Sequence, residues 1–295
     1  ETGVWFPMGI DGDFPEDQRF ADAQSLCFDM EPLTEPAEIL GHPQLKLEIS
    51  VNQPLALVAA RLCDVSPQGD SLLVSWGLFN LCHHRSHENP ETLIPNQKIQ
   101  VEFLLRACAH RLLPGHRWRL SLSTSCFPHA WPSPKLVELQ VHPGSNTFLT
   151  LPVREKNDSQ TPRFEPAESS IPLDNKILSQ GRRKRVVSRD ASNGKTVLED
   201  QNHSGRVLFQ DSGLEMEDKA SDRLEITKDH PLSMITECHR TASIGRGDWQ
   251  TRIETKSRMT SDEMNFYLEN HLEAYENDHV VFQKSWKTSV PRSFV

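Results

Sequence analysis

The chain has 295 residues, and 32 Lys and Arg against 41 Asp and Glu give a formal net charge of −9, with 36% hydrophobic and 25% charged residues. That balance describes a soluble globular protein and disfavours a basic domain that coats nucleic acid, because phosphate neutralisation needs clustered Lys and Arg. No apolar run approaches the roughly 18 to 20 residues that a helical bilayer span requires, so no membrane partner is expected. The length suits one large all-β unit or two ordinary domains. The sequence opens at Glu1 rather than Met, with neither a charged n-region nor an apolar h-region, which is expected of a piece of something longer or of a processed product.

Prolines set the organisation, since fifteen of the twenty fall before residue 155 and leave no room there for long helices. Period-two alternation marks half-buried strands at Leu45, Leu47, Ile49 and Val51, at Ile99, Val101, Phe103 and Leu105, at Trp118, Leu120 and Leu122, and at Val137, Leu139 and Val141. Denser apolar runs, residues 56–65 and 72–81, flank Ser66-Pro67-Gln68-Gly69-Asp70, a turn between adjacent strands. Phe148-Leu149-Thr150-Leu151 closes this half. Residues 155–185 lose apolar anchors and read as a linker or long connection that includes the basic run Arg182-Arg183-Lys184-Arg185. Strand signals resume over 186–295, with Asn193-Gly194 as a hairpin turn between Val186-Val187 and Val197-Leu198. A second hairpin is expected at Asn277-Asp278, between an alternating run from Met264 to Ala274 and another from Val280 to Trp286. A helix over 264–275 also fits Met264, Leu268 and Leu272, but it leaves Phe266 and Ala274 unexplained. The predicted fold is therefore all-β: a jelly-roll, galactose-binding-like β-sandwich over 1–154 with a C-terminal β extension.

Six scattered cysteines with no C-x-x-C pair predict reduced, buried thiols, which favours the cytoplasm and disfavours thiolate metal sites. No cofactor and no metal are expected. Gly69-Asp70-Ser71-Leu72 spells the nucleophile block of GDSL esterases, and Asp200-x-x-His203 follows as a possible partner, yet Ser71 falls in a strand-to-strand turn and no G-x-S-x-G elbow exists. His83, His84, His87 and Glu88 form the densest ligand-capable cluster, but a strand and Pro90 flank it, so a helical metal pair is not formed. Arg246-Gly247-Asp248 matches an integrin tripeptide by chance, and the Asn157 and Asn202 sequons matter only in a secreted chain.

Several unusual strings occur in one order: Asp17-Gln18-Arg19; Ala60-Arg61-Leu62-Cys63-Asp64-Val65; Gly77-Leu78-Phe79-Asn80-Leu81; Arg85-x-His87-x-x-Pro90; Pro114-Gly115-His116-Arg117-Trp118-Arg119-Leu120; and Trp131-Pro132-x-Pro134. Together they resemble the C-terminal, non-catalytic jelly-roll domain of the CocE/NonD hydrolases, the family of cocaine esterase and the X-Pro dipeptidyl-peptidases. Asp229-His230-Pro231-Leu232-Ser233, Arg246-Gly247-Asp248-Trp249 and Pro291-Arg292-Ser293 resemble the extension of longer members. The resemblance implies that the serine, aspartate and histidine of the triad belong to an α/β-hydrolase domain preceding the matched region. This chain would then supply no catalytic residue and would act as an accessory wall of the pocket for a small ester or peptide substrate, with that catalytic domain as its partner. By the same likeness Trp5-Phe6 would face the substrate pocket, while Asp17 and Arg19 would hold a loop and Gly115, His116 and Arg117 would shape a turn. The alternatives are a free-standing carbohydrate- or ligand-binding β-sandwich and a self-sufficient esterase using Ser71.

Overall fold

The structure, a computed structural model, describes residues 15–154 and 163–295. The chain divides into two compact units, Glu1–Thr161 with Ser293–Val295, and Pro162–Arg292. Both are built of antiparallel sheet; among the described residues the only α-helix is one turn, α1 (Arg19–Asp22).

The first unit holds β1 (Leu26–Asp29), β2 (Ala37–Gly41), β3 (Gln44–Val51), β4 (Leu57–Val65) and β5 (Ser71–Asn80). A 3-10 turn over Leu81–His83 precedes β6 (Ile99–Leu104), β7 (Cys108–Leu112), β8 (Arg117–Ser123), β9 (Leu139–Val141) and β10 (Phe148–Thr150). They form a β1-β8-β4-β5 sheet, a β10-β3-β6 sheet to which β9 adds, and a β2-β7 ribbon. Alternation in sequence becomes a buried face: Leu45, Leu47, Ile49 and Val51 of β3 meet Val58, Ala60 and Leu62 of β4 and Trp118 and Leu122 of β8 in one core. Each fully buried Leu, Ile or Val there contributes roughly 1.5–3 kcal/mol relative to exposure. The result is a β-sandwich. The strands expected at 45–51, 56–65, 72–81, 99–105 and 118–122 appear as β3, β4, β5, β6 and β8, whereas β1, β2 and β7, each with at most one buried residue, carried no clear period-two signal.

The second unit holds β11 (Asn175–Ser179), β12 (Arg182–Asp190), β13 (Lys195–Phe209), β14 (Leu214–Thr227), β15 (His230–Arg246), β16 (Trp249–Ser261), β17 (Asn265–Glu276) and β18 (His279–Pro291). Seven follow the order β11-β13-β14-β15-β16-β17-β18, and β12 also pairs with β13. The basic run Arg182–Arg185 is therefore strand, not connection: Arg185 lies opposite Asp200 in the β12–β13 register, and Asp200 takes both Arg183 at 3.1 Å and Arg185 at 2.6 Å. Val187 pairs with Leu198 across a turn longer than the two-residue type expected, because the strands run to Asp190 and Lys195. Residues 265–276 are strand β17, and Asn277 takes the positive φ of 53° at the turn into β18.

Register explains how so polar a sheet holds. Residues directly opposite on antiparallel strands point to the same face. Glu199, Arg223, Glu237, Arg258, Glu269 and Lys287 stand opposite one another in succession across β13 to β18, so one row alternates in sign over six strands. Its adjacent members pair at 2.8 Å for Arg223–Glu199, 3.3 Å for Arg258–Glu237 and 3.0 Å for Lys287–Glu269.

Candidate functional site

The β1-β8-β4-β5 sheet has two faces of opposite character. One enters the core; the other carries Arg61 and Ser121, which are directly paired, and Arg119 opposite Cys63. Onto this polar face α1 sets Asp22. Its carboxylate accepts hydrogen bonds from the Ser71 hydroxyl at 2.7 Å and the Ser121 hydroxyl at 2.8 Å, and pairs with Arg61 at 2.9 Å and Arg119 at 3.1 Å. Both Asp22 and Arg61 are buried, so the pair is held where loss of either partner strands a charge.

The Asp17-Gln18-Arg19 string closes this network. The Gln18 backbone N–H donates to the Ser71 carbonyl at 2.8 Å, and its side-chain oxygen accepts from Arg61 at 2.7 Å. Arg19 folds back on Asp17 through its own backbone N–H at 2.9 Å and its guanidinium at 3.0 Å. Ser71, the residue of the esterase-like string, is 2% exposed and donates to a carboxylate. An attacking serine needs a base that accepts its proton and is itself oriented by a third group. Asp22 is instead committed to four partners, so Ser71 is a structural donor. Asp200 pairs with arginines and His203 with Glu217 at 2.7 Å, which leaves no D-x-x-H partner for it.

The Pro114–Leu120 string builds the neighbouring turn and strand. Gly115 has φ +82°, and a Cβ there would also meet the Pro67 ring at 3.3 Å, which accounts for glycine on both counts. His116 Nδ1 bonds Asp64 at 2.7 Å while His110 Nε2 bonds the other oxygen of Asp64 at 2.9 Å, so one carboxylate orients two imidazoles. Arg117 pairs with Asp29 at 3.0 Å, and Arg119 forks onto both oxygens of Asp29 at 2.6 and 2.8 Å. The hydrogen bonds of Arg119 hold the Asp29 carboxyl below its usual range. Gly77 of the Gly77–Leu81 string sits where a Cβ would approach Leu105 Cδ2 to 2.9 Å and the Leu104 carbonyl oxygen to 3.3 Å, so a larger residue there would have to push the Leu105 side chain aside.

Trp131 and Ser133 of the Trp131-Pro132-x-Pro134 string line a shallow apolar hollow with Leu78, Phe79 and Phe294. His83 and His87 rings lie 5.4 Å apart and His87 edges onto Phe79 at 6.0 Å; among the described residues no group of three or more His, Cys, Asp or Glu is arranged to hold a metal ion. Arg85 pairs with Glu91 at 2.9 Å. All six cysteines are free, and burial pushes the Cys63 thiol up to about 12 and Cys238 up to about 11, so these thiols are protonated at neutral pH and poor nucleophiles. Arg246-Gly247-Asp248 forms the β15–β16 turn, with Gly247 at φ +55°. Trp5, Phe6 and the Asn157 sequon lie outside the described residues. Among the described residues no helix is long and apolar enough to cross a membrane.

Sequence reasoning missed the residue at the centre of the network. Asp22 stands in no quoted string and its signal is only tertiary: four donors from β4, β5 and β8 converge on it.

Residues 10–163 match the X-Pro dipeptidyl-peptidase C-terminal non-catalytic domain. Cocaine esterase of Rhodococcus sp. (strain MB1 Bresler) is 29% identical over 116 residues, 39% of this chain and 20% of the esterase, so the alignment spans about a fifth of that relative. Among solved structures, an α-amino acid ester hydrolase is 29% identical with a TM-score of 0.45, over 47% of this chain and 27% of the hydrolase. An aminopeptidase from the marine sediment archaeon Thaumarchaeota archaeon is 21% identical with a TM-score of 0.45, over 48% of this chain and 28% of its own. A CocE/NonD family hydrolase from Staphylococcus aureus is 15% identical with a TM-score of 0.41, over 44% of this chain and 30% of its own. With a family match over more than half its length and marked residues that hold strands and turns together, the chain belongs to the X-Pro dipeptidyl-peptidase C-terminal non-catalytic domain family.

Proposed function

We propose that the first unit is a jelly-roll accessory domain of a CocE/NonD-type serine hydrolase, and that it walls the substrate cleft of an α/β-hydrolase domain in the same protein. The observation that carries this reading is the fate of Ser71: buried and bound to Asp22, it supplies no nucleophile within a family match to a non-catalytic domain. A wall domain contributes by excluding water and shaping the pocket, and this needs rigidity more than reactive groups. The Asp22 and Asp64 networks supply that rigidity beside the Gly115 turn. Trp5 and Phe6 are the candidates for contact with the acyl or amino-terminal part of a small ester or peptide substrate.

The reading frame upstream of the Glu1 codon tests this directly. A G-x-S-x-G elbow, followed by an aspartate and a histidine before Glu1, is expected. A stop codon immediately upstream overturns the proposal. With the upstream segment present, Trp5→Ala combined with Phe6→Ala is expected to raise KM for a p-nitrophenyl ester more than it lowers kcat.

A further inference from the structure

The second unit contains a row that breaks the alternation of charge found beside it. One register step of two residues from the Glu199–Lys287 row, Lys184, Gln201, Ser221, His239, Lys256, His271 and Ser285 stand opposite one another across β12 to β18, with no acid among them. Two residues further, Arg182, His203, Lys219 and Thr241 are opposite one another across β12 to β15. Between these rows the sheet forms a groove of about 500 Å³ whose lining contains no Asp or Glu and, on this face, Arg182, Lys184, Lys219, His203 and His239. In a chain of net charge −9, such a surface is the exception.

The counter-charges are few and lie at the border. Glu217 takes His203 at 2.7 Å and Lys219 at 3.0 Å, while Arg183 points to the opposite face, where Asp200 takes it at 3.1 Å. Glu199 is held by Arg223 at 2.8 Å and Glu254 by Arg252 at 2.7 Å. Arg182 and Lys184 are exposed and have no ion-pair partner among the described residues. Neighbouring strands stand about 4.8 Å apart and alternate residues about 6.7 Å, so Arg182 and Lys184 on β12 and Lys219 on β14 span a grid of roughly 10 by 7 Å. A single phosphate or carboxylate cannot reach across such a grid, whereas an extended chain bearing several carboxylates can. No Phe, Tyr or Trp lines the groove, so it lacks the stacking platform that single-stranded nucleic acid uses. Gln201, Ser221 and Thr241 add neutral hydrogen-bonding groups between the cations.

We propose that this face of the β12–β15 sheet is a docking groove for an acidic peptide segment, an extended stretch of Asp and Glu side chains, with Arg182 and Lys184 as the principal contacts. The groove binds through charges at the rim of solvent, so its affinity depends on salt.

The test is fluorescence anisotropy of a fluorescein-labelled hexaglutamate peptide with the full chain, at ~20 mM and at ~500 mM salt, where the Debye length falls severalfold. Saturable binding at low salt is expected, weakened about tenfold or more by salt and by the double substitution Arg182→Gln with Lys184→Gln. Because both positions are exposed on a strand, the variant should keep the parent circular dichroism spectrum. If it does not, shifts of the His203 and His239 ring resonances on adding peptide to the unaltered chain locate the site instead. Absence of saturable binding at low salt, undiminished binding by a folded variant, or unmoved histidine resonances would overturn the proposal. Tighter binding of an oligothymidylate than of the peptide would also overturn it, in favour of a nucleic-acid surface.

Discussion

The two units solve the same problem, holding antiparallel strands together, by different means. The first buries a continuous core, from Leu45 and Ile49 to Leu62, Trp118 and Leu122, and then adds a second, polar stratum in which Asp22 ties three strands to α1. In the second, Val197, Leu198 and Met234 are the buried hydrophobic residues among those described, and the strands carry rows of opposed charge instead. The contrast teaches where a single substitution matters. A buried ion pair is costly to break because the surviving partner is left in a poor solvent for charge, while an exposed cross-strand pair is replaced by water at little cost.

The sharpest way to break the contrast is Asp22→Ala. It leaves Arg61 buried without its carboxylate, and we expect a loss of about 3–5 kcal/mol from the first unit. Urea unfolding followed by tryptophan fluorescence reads this, since Trp118 lies in that core. A loss below about 1 kcal/mol would show that the network is ornamental. The matching change in the second unit, Glu237→Gln, removes one charge from the alternating row, where Arg258 stands at 3.3 Å and the pair is more than a third exposed. Here the expected cost is under about 1 kcal/mol, measured in the same way. A cost as large as that of Asp22→Ala would erase the distinction between the units.

Acid sharpens the comparison with the smallest effect. Burial works to raise the Asp200 carboxyl, but hydrogen bonds from Arg183 and Arg185 outweigh it and hold it below the ordinary value of 3.8. A carboxyl depressed in the folded state stabilises the protein above its unfolded pKa, and that contribution is lost as pH falls through the folded value. Stability supplied by Asp200 is thus complete at neutral pH and fades below about pH 4. Asp200→Asn is expected to flatten the acid limb of the stability curve, and an unchanged limb in a pH series of thermal melts would contradict the assignment.

How much of this was legible in the sequence differed between the units for the same physical reason. Where burial of one face drives a strand, apolar residues alternate, and β3, β4, β6 and β8 could be read directly from Leu45–Val51, Leu57–Val65, Ile99–Leu104 and Trp118–Leu122. Strand β14, Leu214–Thr227, carries seven charged residues in fourteen, and its place is fixed by opposed partners on β13 and β15 that no local window contains. The basic run at Arg182–Arg185 misled for the same reason, since Asp200 lies one strand away. In the site, Gly115 and His116 were visible as a turn motif, yet that His116 shares Asp64 with His110 follows only from the meeting of β4, β7 and β8. Asp22 was invisible because a lone aspartate in a short polar stretch has no signature until Arg61 and Ser71 are brought to it.

The central claim is that the marked residues of this chain build a support and perform no chemistry. The most direct measurement incubates the purified chain with a serine-directed fluorophosphonate probe while following hydrolysis of a short-chain p-nitrophenyl ester and an X-Pro-p-nitroanilide. The account predicts no labelling and no turnover above the buffer rate. Labelling at Ser71, with turnover lost in Ser71→Ala, would contradict it.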